Sequence, residues 1–136
     1  MSHSARILIA DSEPEWRNFA IKTLRQAGYN AHGTETSEST LSEIVRGDAE
    51  LILTDAGLTN LVRTLAIQQQ NTRFVVFTTS PSVKDALVAY RYGALDYTTK
   101  AFEQGSLLDT IRRALNKQPV QSHLVFTNLA TGSALI

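Results

Sequence analysis

Five short apolar runs alternate with segments whose apolar residues recur every three or four positions. This alternation constrains the fold more than any other feature of the chain, because the two periods belong to strands and to one-sided helices. The runs are Ile7-Leu8-Ile9-Ala10, the more polar Tyr29-Asn30-Ala31-His32-Gly33, Leu51-Ile52-Leu53-Thr54, Phe74-Val75-Val76-Phe77 and Leu95-Asp96-Tyr97-Thr98. Trp16, Phe19, Ala20, Leu24 and Ala27 form one helical face closed by Gly28, with Pro14 suited to the first turn and Ser12 or Glu13 at the cap. Thr36 or Ser37 caps a short helix carrying Leu41, Ile44 and Val45 and ending at Gly47. Leu58, Leu61, Val62 and Leu65 mark a third helix reaching about Gln70. Ser82 with Asp85 opens a fourth, with Val83, Ala86, Leu87 and Tyr90 inward and Gly93 as its end. Leu107, Leu108, Ile111 and Leu115 space out the last. Strand-helix alternation with short turns predicts an α/β fold, a doubly wound five-stranded parallel sheet with helices on both faces. Right-handed crossovers make that topology close to obligatory.

Composition narrows the function classes. The 136 residues suit one domain, and thirteen basic residues offset thirteen acidic ones, so no net field draws the chain to nucleic acid or to an anionic membrane. There is no cysteine, which removes disulfides and thiolate chemistry, and His3, His32 and His123 lack metal-ligand spacing. No apolar run is long enough to span a bilayer and residues 1–10 show no cleavable signal pattern, so the expected location is the cytoplasm. The expected domain covers residues 1–116. Residues 117–136 read as a C-terminal tail or the start of a linker, in which Gln118-Pro119 ends the last helix and His123 to Thr127 is a strand-like patch that needs cover.

Four of the runs end in polar groups: Asp11, Asp55, Thr78 and Lys100 follow or close the first, third, fourth and fifth. In a parallel sheet these tips lie along one edge, where open α/β sheets place their reactive groups. Asp55 alone could equally start a turn or cap the next helix. Together, two carboxylates can hold a hard cation such as Mg²⁺, an ammonium can neutralise a phosphoryl group, and a hydroxyl can hydrogen-bond one of its oxygens. No GxxxxGK loop is present, which argues against a nucleotide as the bound phosphate.

Taken in order, Ile7 to Pro14, Leu51 to Asp55, Phe77-Thr78, Gly93 to Tyr97 and Thr99 to Phe102 resemble the receiver domain of bacterial two-component response regulators over about residues 5 to 116. The resemblance implies a flavodoxin-like sheet of strand order 2-1-3-4-5. It implies that Asp55 is a phosphoacceptor served by a histidine kinase or phosphotransfer protein, that Thr78 and Lys100 assist the transfer, and that Thr78 and Tyr97 form the switch. The implied Mg²⁺ ligands are Asp11, Asp55 and the Gly57 backbone carbonyl, with Ser12 or Glu13 as a further one. The implied output is a protein-binding or homodimer face made by the fourth helix, fifth strand and fifth helix, with Arg91, Tyr92, Arg112 and Arg113 on it. Such a domain is a phosphoacceptor that assists its own transfer and hydrolysis rather than an enzyme. No DNA-reading motif follows residue 116.

Several residues depart from the family pattern. Ser12 stands in place of a metal-binding carboxylate, which predicts weaker Mg²⁺ affinity; Glu13 beside it offers a partial substitute but is expected to point elsewhere. Ala101 replaces a proline, which favours a trans bond before it and a re-aimed Lys100 or following loop. Thr59 stands where proline is common, and the 22 residues between Asp55 and Thr78 are fewer than the family's usual number. Small residues at Gly57 and Ser80 open the pocket to water. Phe102 reads as a core aromatic. Two functions follow: a phosphoacceptor switch with a weakened metal site, favoured by Asp55, Thr78 and Lys100, and a phosphorylation-independent pseudo-receiver acting as an interaction module, favoured by Ser12, Ala101 and the short loop. A phosphatase of related fold is disfavoured, since Gly57 occupies the place of its second acid.

Overall fold

Strands β1 (Arg6–Ala10), β2 (Asn30–Thr34), β3 (Leu51–Asp55), β4 (Arg73–Thr78) and β5 (Asp96–Thr99) form one sheet in the order β2-β1-β3-β4-β5. Every pairing is parallel. Helices α1 (Pro14–Gln26), α2 (Ser37–Val45), α3 (Val83–Arg91) and α4 (Gln104–Leu115) complete the computed structural model, which describes residues 4–46, 49–56 and 73–117. The helix expected near 58–70, Gly57, Thr59, His3, His123 and the tail from residue 118 lie outside the described residues.

The strands are apolar on both sides because both faces are covered. Ile7, Ile9, Leu51, Leu53, Val75 and Phe77 pack with Trp16, Ala20 and Leu24 of α1 and Leu107, Ile111 and Ala114 of α4. The intervening residues Leu8, Ala10, Ile52, Phe74 and Val76 meet Ile44 of α2 and Ala89 of α3. The polar run 30–34 lies at the sheet's edge, where only one neighbour needs satisfying. Gly28 (φ 96°) and Gly93 (φ 100°) end α1 and the turn after α3 in the left-handed region, as glycine does without steric cost. The Thr36 hydroxyl accepts from the Ser39 amide at 3.1 Å and caps α2, and the Ser82 hydroxyl accepts from the Asp85 amide at 3.1 Å and caps α3.

Four inward assignments from periodicity are corrected. Val45 is 80 % exposed at the last turn of α2. In α3, Val83 is 78 % and Leu87 65 % exposed, Tyr90 also faces solvent, and Ala89 is the buried residue. The α3 segment is apolar around most of its circumference, so spacing could not select a face; the small side chain of Ala89 permits the close approach to the sheet. In α4, Thr110 and Ala114 are buried while Leu108 and Leu115 are only partly so.

These burials separate the two leucines experimentally. Leu53→Ala, at a position 1 % exposed, should cost about 2–5 kcal/mol in urea unfolding followed by circular dichroism. Leu87→Ser should stay within about 0.5 kcal/mol of the parent.

Candidate functional site

The register decides which side chains meet. Ala10 pairs with Thr54, Asp55 with Phe77 and Thr78 with Thr99, so residues 11, 55, 78 and 100 emerge together at the carboxyl edge of the sheet. Two backbone bonds extend the strands past their ends: the Asp11 amide donates to the Thr34 carbonyl at 3.0 Å and the Lys100 amide to the Thr78 carbonyl at 2.8 Å. Lys100 then turns its side chain inward, and its ammonium lies 2.8 Å from Asp11 Oδ2 and 2.8 Å from Asp55 Oδ1. The same nitrogen also donates to Glu13 Oε1. An ammonium has three N–H donors, and each has a carboxylate partner here.

Glu13 therefore does not point elsewhere, contrary to the sequence expectation. The cause is local. Asp11 Oδ1 accepts the Glu13 amide at 2.9 Å, a tight turn that bends the chain between β1 and α1 and brings the Glu13 side chain back over the sheet edge. Glu13 is the N-cap of α1 but its carboxylate makes no cap hydrogen bond. Ser12, between the two acids, is exposed and borders an open hollow of about 370 Å³ with Glu13, Trp16, Thr79, Lys100 and Phe102. Arg17, which sequence reasoning passed over, donates to the Asp11 backbone carbonyl at 2.6 Å and pairs with Glu35 at 3.3 Å. Its only sequence signal is a basic residue one turn into the helix after an acidic strand tip.

Three carboxylates against one ammonium leave the cluster with excess negative charge. Burial pushes the Asp11 carboxyl above the usual carboxylate range; the hydrogen bond to Lys100 and the Glu13 amide lower it, and the neighbouring Asp55 charge raises it further. For Lys100 burial is the largest single influence and acts to lower its pKa, but the combined hydrogen bonds to Asp11, Asp55 and Glu13 outweigh it and raise the net value above an ordinary lysine. The Asp11 shift is led by burial, which disfavours its charged form, whereas the Lys100 shift reports the carboxylates around it. One oxygen each from Asp11, Glu13 and Asp55 lies within 4.8 Å of the others, and this all-oxygen anionic set fits a hard divalent cation.

The remaining candidates surround this cluster. Thr78 is buried at the tip of β4, and its hydroxyl accepts the Ser80 amide at 3.1 Å. The Tyr97 ring is half-buried against the α2–α3 side of the sheet, and its hydroxyl accepts the amide of Ser82, the cap residue of α3, at 3.1 Å. A hollow of about 210 Å³ lies beside it, bordered by Ala56, Val76, Asp85, Ala89 and Tyr92. No peptide bond among the described residues is cis, so the bond before Ala101 is trans as expected. Across that trans bond Lys100 points to Asp11 and Asp55. Phe102 is no core residue: it is 60 % exposed, with its ring edge-on to Trp16 at 5.5 Å and tilted on Phe19 at 5.2 Å. The proposed Gly57 carbonyl ligand lies outside the described residues.

Comparison with known proteins agrees with this geometry. Residues 7–112 match the family model of the response regulator receiver domain. The response regulator ArlR of Staphylococcus aureus is 29 % identical over 119 residues, which cover 84 % of this chain and 54 % of that protein. The chain thus spans about half the length of the curated relatives it matches. Among solved structures, a CheY-like receiver domain protein from Methanospirillum hungatei superposes with a TM-score of 0.77 at 23 % identity, covering 84 % of this chain and 95 % of that one. The beryllofluoride-activated NtrC4 receiver domain, a dimer in solution, gives 0.74 at 23 % identity over 81 % of this chain and 95 % of that one. With the sheet order, the edge cluster and these likenesses in agreement, the chain belongs to the response regulator receiver domain family of two-component signalling.

Proposed function

We propose that this receiver accepts a phosphoryl group on Asp55 from the phosphohistidine of a histidine kinase or phosphotransfer protein, and passes the change to a protein-binding face. The observation that carries the reading is the meeting of Asp11, Asp55 and Lys100 at one sheet edge, with the Lys100 ammonium 2.8 Å from each of the two carboxylates. In the transfer, an Asp55 carboxylate oxygen forms a bond to phosphorus while the bond to the donor's ring nitrogen breaks, and the imidazole leaves with that electron pair. Lys100 moves from its ion pair with Asp55 to an oxygen of the transferred group, where its charge offsets the negative charge of the transition state. The set Asp11, Asp55 and Glu13, with the Gly57 carbonyl that the family pattern implies, would hold a divalent cation such as Mg²⁺, which supplies further positive charge at the phosphoryl oxygens. The domain turns over no other substrate in this reading.

The signal leaves through Thr78. Its hydroxyl now accepts the Ser80 amide, and donating to a phosphoryl oxygen on Asp55 requires that bond to give way. The loop between β4 and α3 is then released at one end, while the Tyr97 hydroxyl holds its other end at the Ser82 amide. The hollow beside Tyr97 gives its ring an inward place to move, and α3 shifts with the loop. Val83, Leu87 and Tyr90 leave the outer side of α3 apolar and exposed, which suits a partner or a second copy of the chain on the face formed by α3, β5 and α4. Of the arginines assigned to that face, Arg112 pairs with Asp109 at 2.9 Å and Arg113 with Asp96 at 3.7 Å. No helix among the described residues is long and apolar enough to cross a membrane.

Incubation with acetyl phosphate and Mg²⁺ should add a phosphoryl mass to the intact protein, and Asp55→Asn should abolish the addition. No addition at any Mg²⁺ concentration sinks the proposal. Lys100→Ala should slow the labelling roughly 10²-fold, the scale of losing one charge-stabilising group, in a mass-spectrometric time course.

A further inference from the structure

Glu13 is held in a place that helix capping does not explain. Two of the described helices have glutamate at the N-cap, Glu13 for α1 and Glu103 for α4. Glu103 behaves as a cap: its carboxylate accepts the Gly105 amide at 2.9 Å and the Ser106 amide at 2.6 Å, and these bonds hold it below the usual carboxylate range. Glu13 has the same opportunity and forgoes it, although a cap contributes about 1 kcal/mol. Its carboxylate reaches instead to the Lys100 ammonium, beside Asp11 and Asp55. Ser12, where the family pattern has a carboxylate, brings no charge to the cluster.

We propose that Glu13 is a two-position carboxylate that supplies the anionic cation ligand missing at position 12, and that holds Lys100 when no cation is bound. This inference rests on the cation-assisted reading of the site given above. Its geometry needs little movement. Glu13 is already within 4.8 Å of the Asp11 and Asp55 oxygens, and its side chain is 54 % exposed, so it can rotate without repacking the core. The ammonium of Lys100, by contrast, is 1 % exposed and fully engaged by three carboxylates. When Glu13 turns to a cation, Lys100 loses one of its three partners and becomes available to a phosphoryl oxygen on Asp55. Cation uptake and release of the lysine are then two results of one side-chain rotation.

Mg²⁺ titration calorimetry on four variants tests this. Glu13→Gln should weaken Mg²⁺ binding on the order of tenfold, the scale on which ligand charge tunes hard-cation sites. Ser12→Asp in the Glu13→Gln background should restore it, because the charge returns from the neighbouring position. Lys100→Gln should tighten binding, and adding Glu13→Gln to it should again weaken binding on the order of tenfold. Affinity of Glu13→Gln within twofold of the parent overturns the proposal. So does an effect that disappears in the Lys100→Gln background, which would show that Glu13 acts through the lysine alone. A parent that binds no Mg²⁺ overturns it as well. The phosphoacceptor reading fails separately: Mg²⁺ affinities that follow this pattern, with no phosphoryl addition from acetyl phosphate, leave Glu13 as a ligand and remove Asp55 as an acceptor.

Discussion

The Lys100 ammonium is the point on which the site depends. It joins the tips of β1, β3 and β5 through Asp11, Asp55 and its own strand, with Glu13 added from the start of α1. A buried ion pair of this sort is weak support for stability, since removing each charge from water costs several kcal/mol. The arrangement is instead poised. Three carboxylates surround one ammonium, a set of oxygens that could hold a hard cation, and the same carboxylates raise the Lys100 pKa against the effect of burial.

Everything else places or reads this cluster. The parallel register brings four strand tips to one edge, and two backbone bonds, Asp11 to Thr34 and Lys100 to Thr78, carry the ladder one residue further. Trp16 packs on Phe77 at 5.3 Å and on Phe102 at 5.5 Å, tying α1, β4 and the loop after Lys100 into one wall beside the hollow. On the opposite side α3 is lightly attached: Ala89 is its buried residue, and the capping Ser82 bonds to Tyr97. A helix with so little buried apolar area can shift at small cost, which is what a phosphorylation-driven switch needs. Firm packing under the acids and light packing under α3 are what the proposed switch requires.

Much of this was legible in the chain. The five runs, Pro14 opening α1 and the Thr36 and Ser82 caps follow from period and capping chemistry, which act over a few residues. Asp11, Asp55, Thr78 and Lys100 were legible as strand tips because alternation implies a parallel sheet. Errors came where local rules left a choice. The α3 segment is apolar on most sides, so spacing put Val83, Leu87 and Tyr90 inward where the sheet instead buries Ala89. Phe102 looks like core by type but ends on the rim, because it follows the buried Lys100 at the edge of the domain.

The sequence by itself determined the fold class and the four groups that share an edge, because backbone periodicity and strand direction are local properties summed along the chain. Only the tertiary structure decided that Glu13 joins them. Its direction depends on a turn closed by Asp11 and on an ammonium contributed from just past the end of β5, far along the chain. A side chain at a helix start has a local partner, the free amides of its own first turn, and a distant one, a buried charge from another strand. Spacing shows the first. Only the fold brings the second within reach, and there the charge prevails.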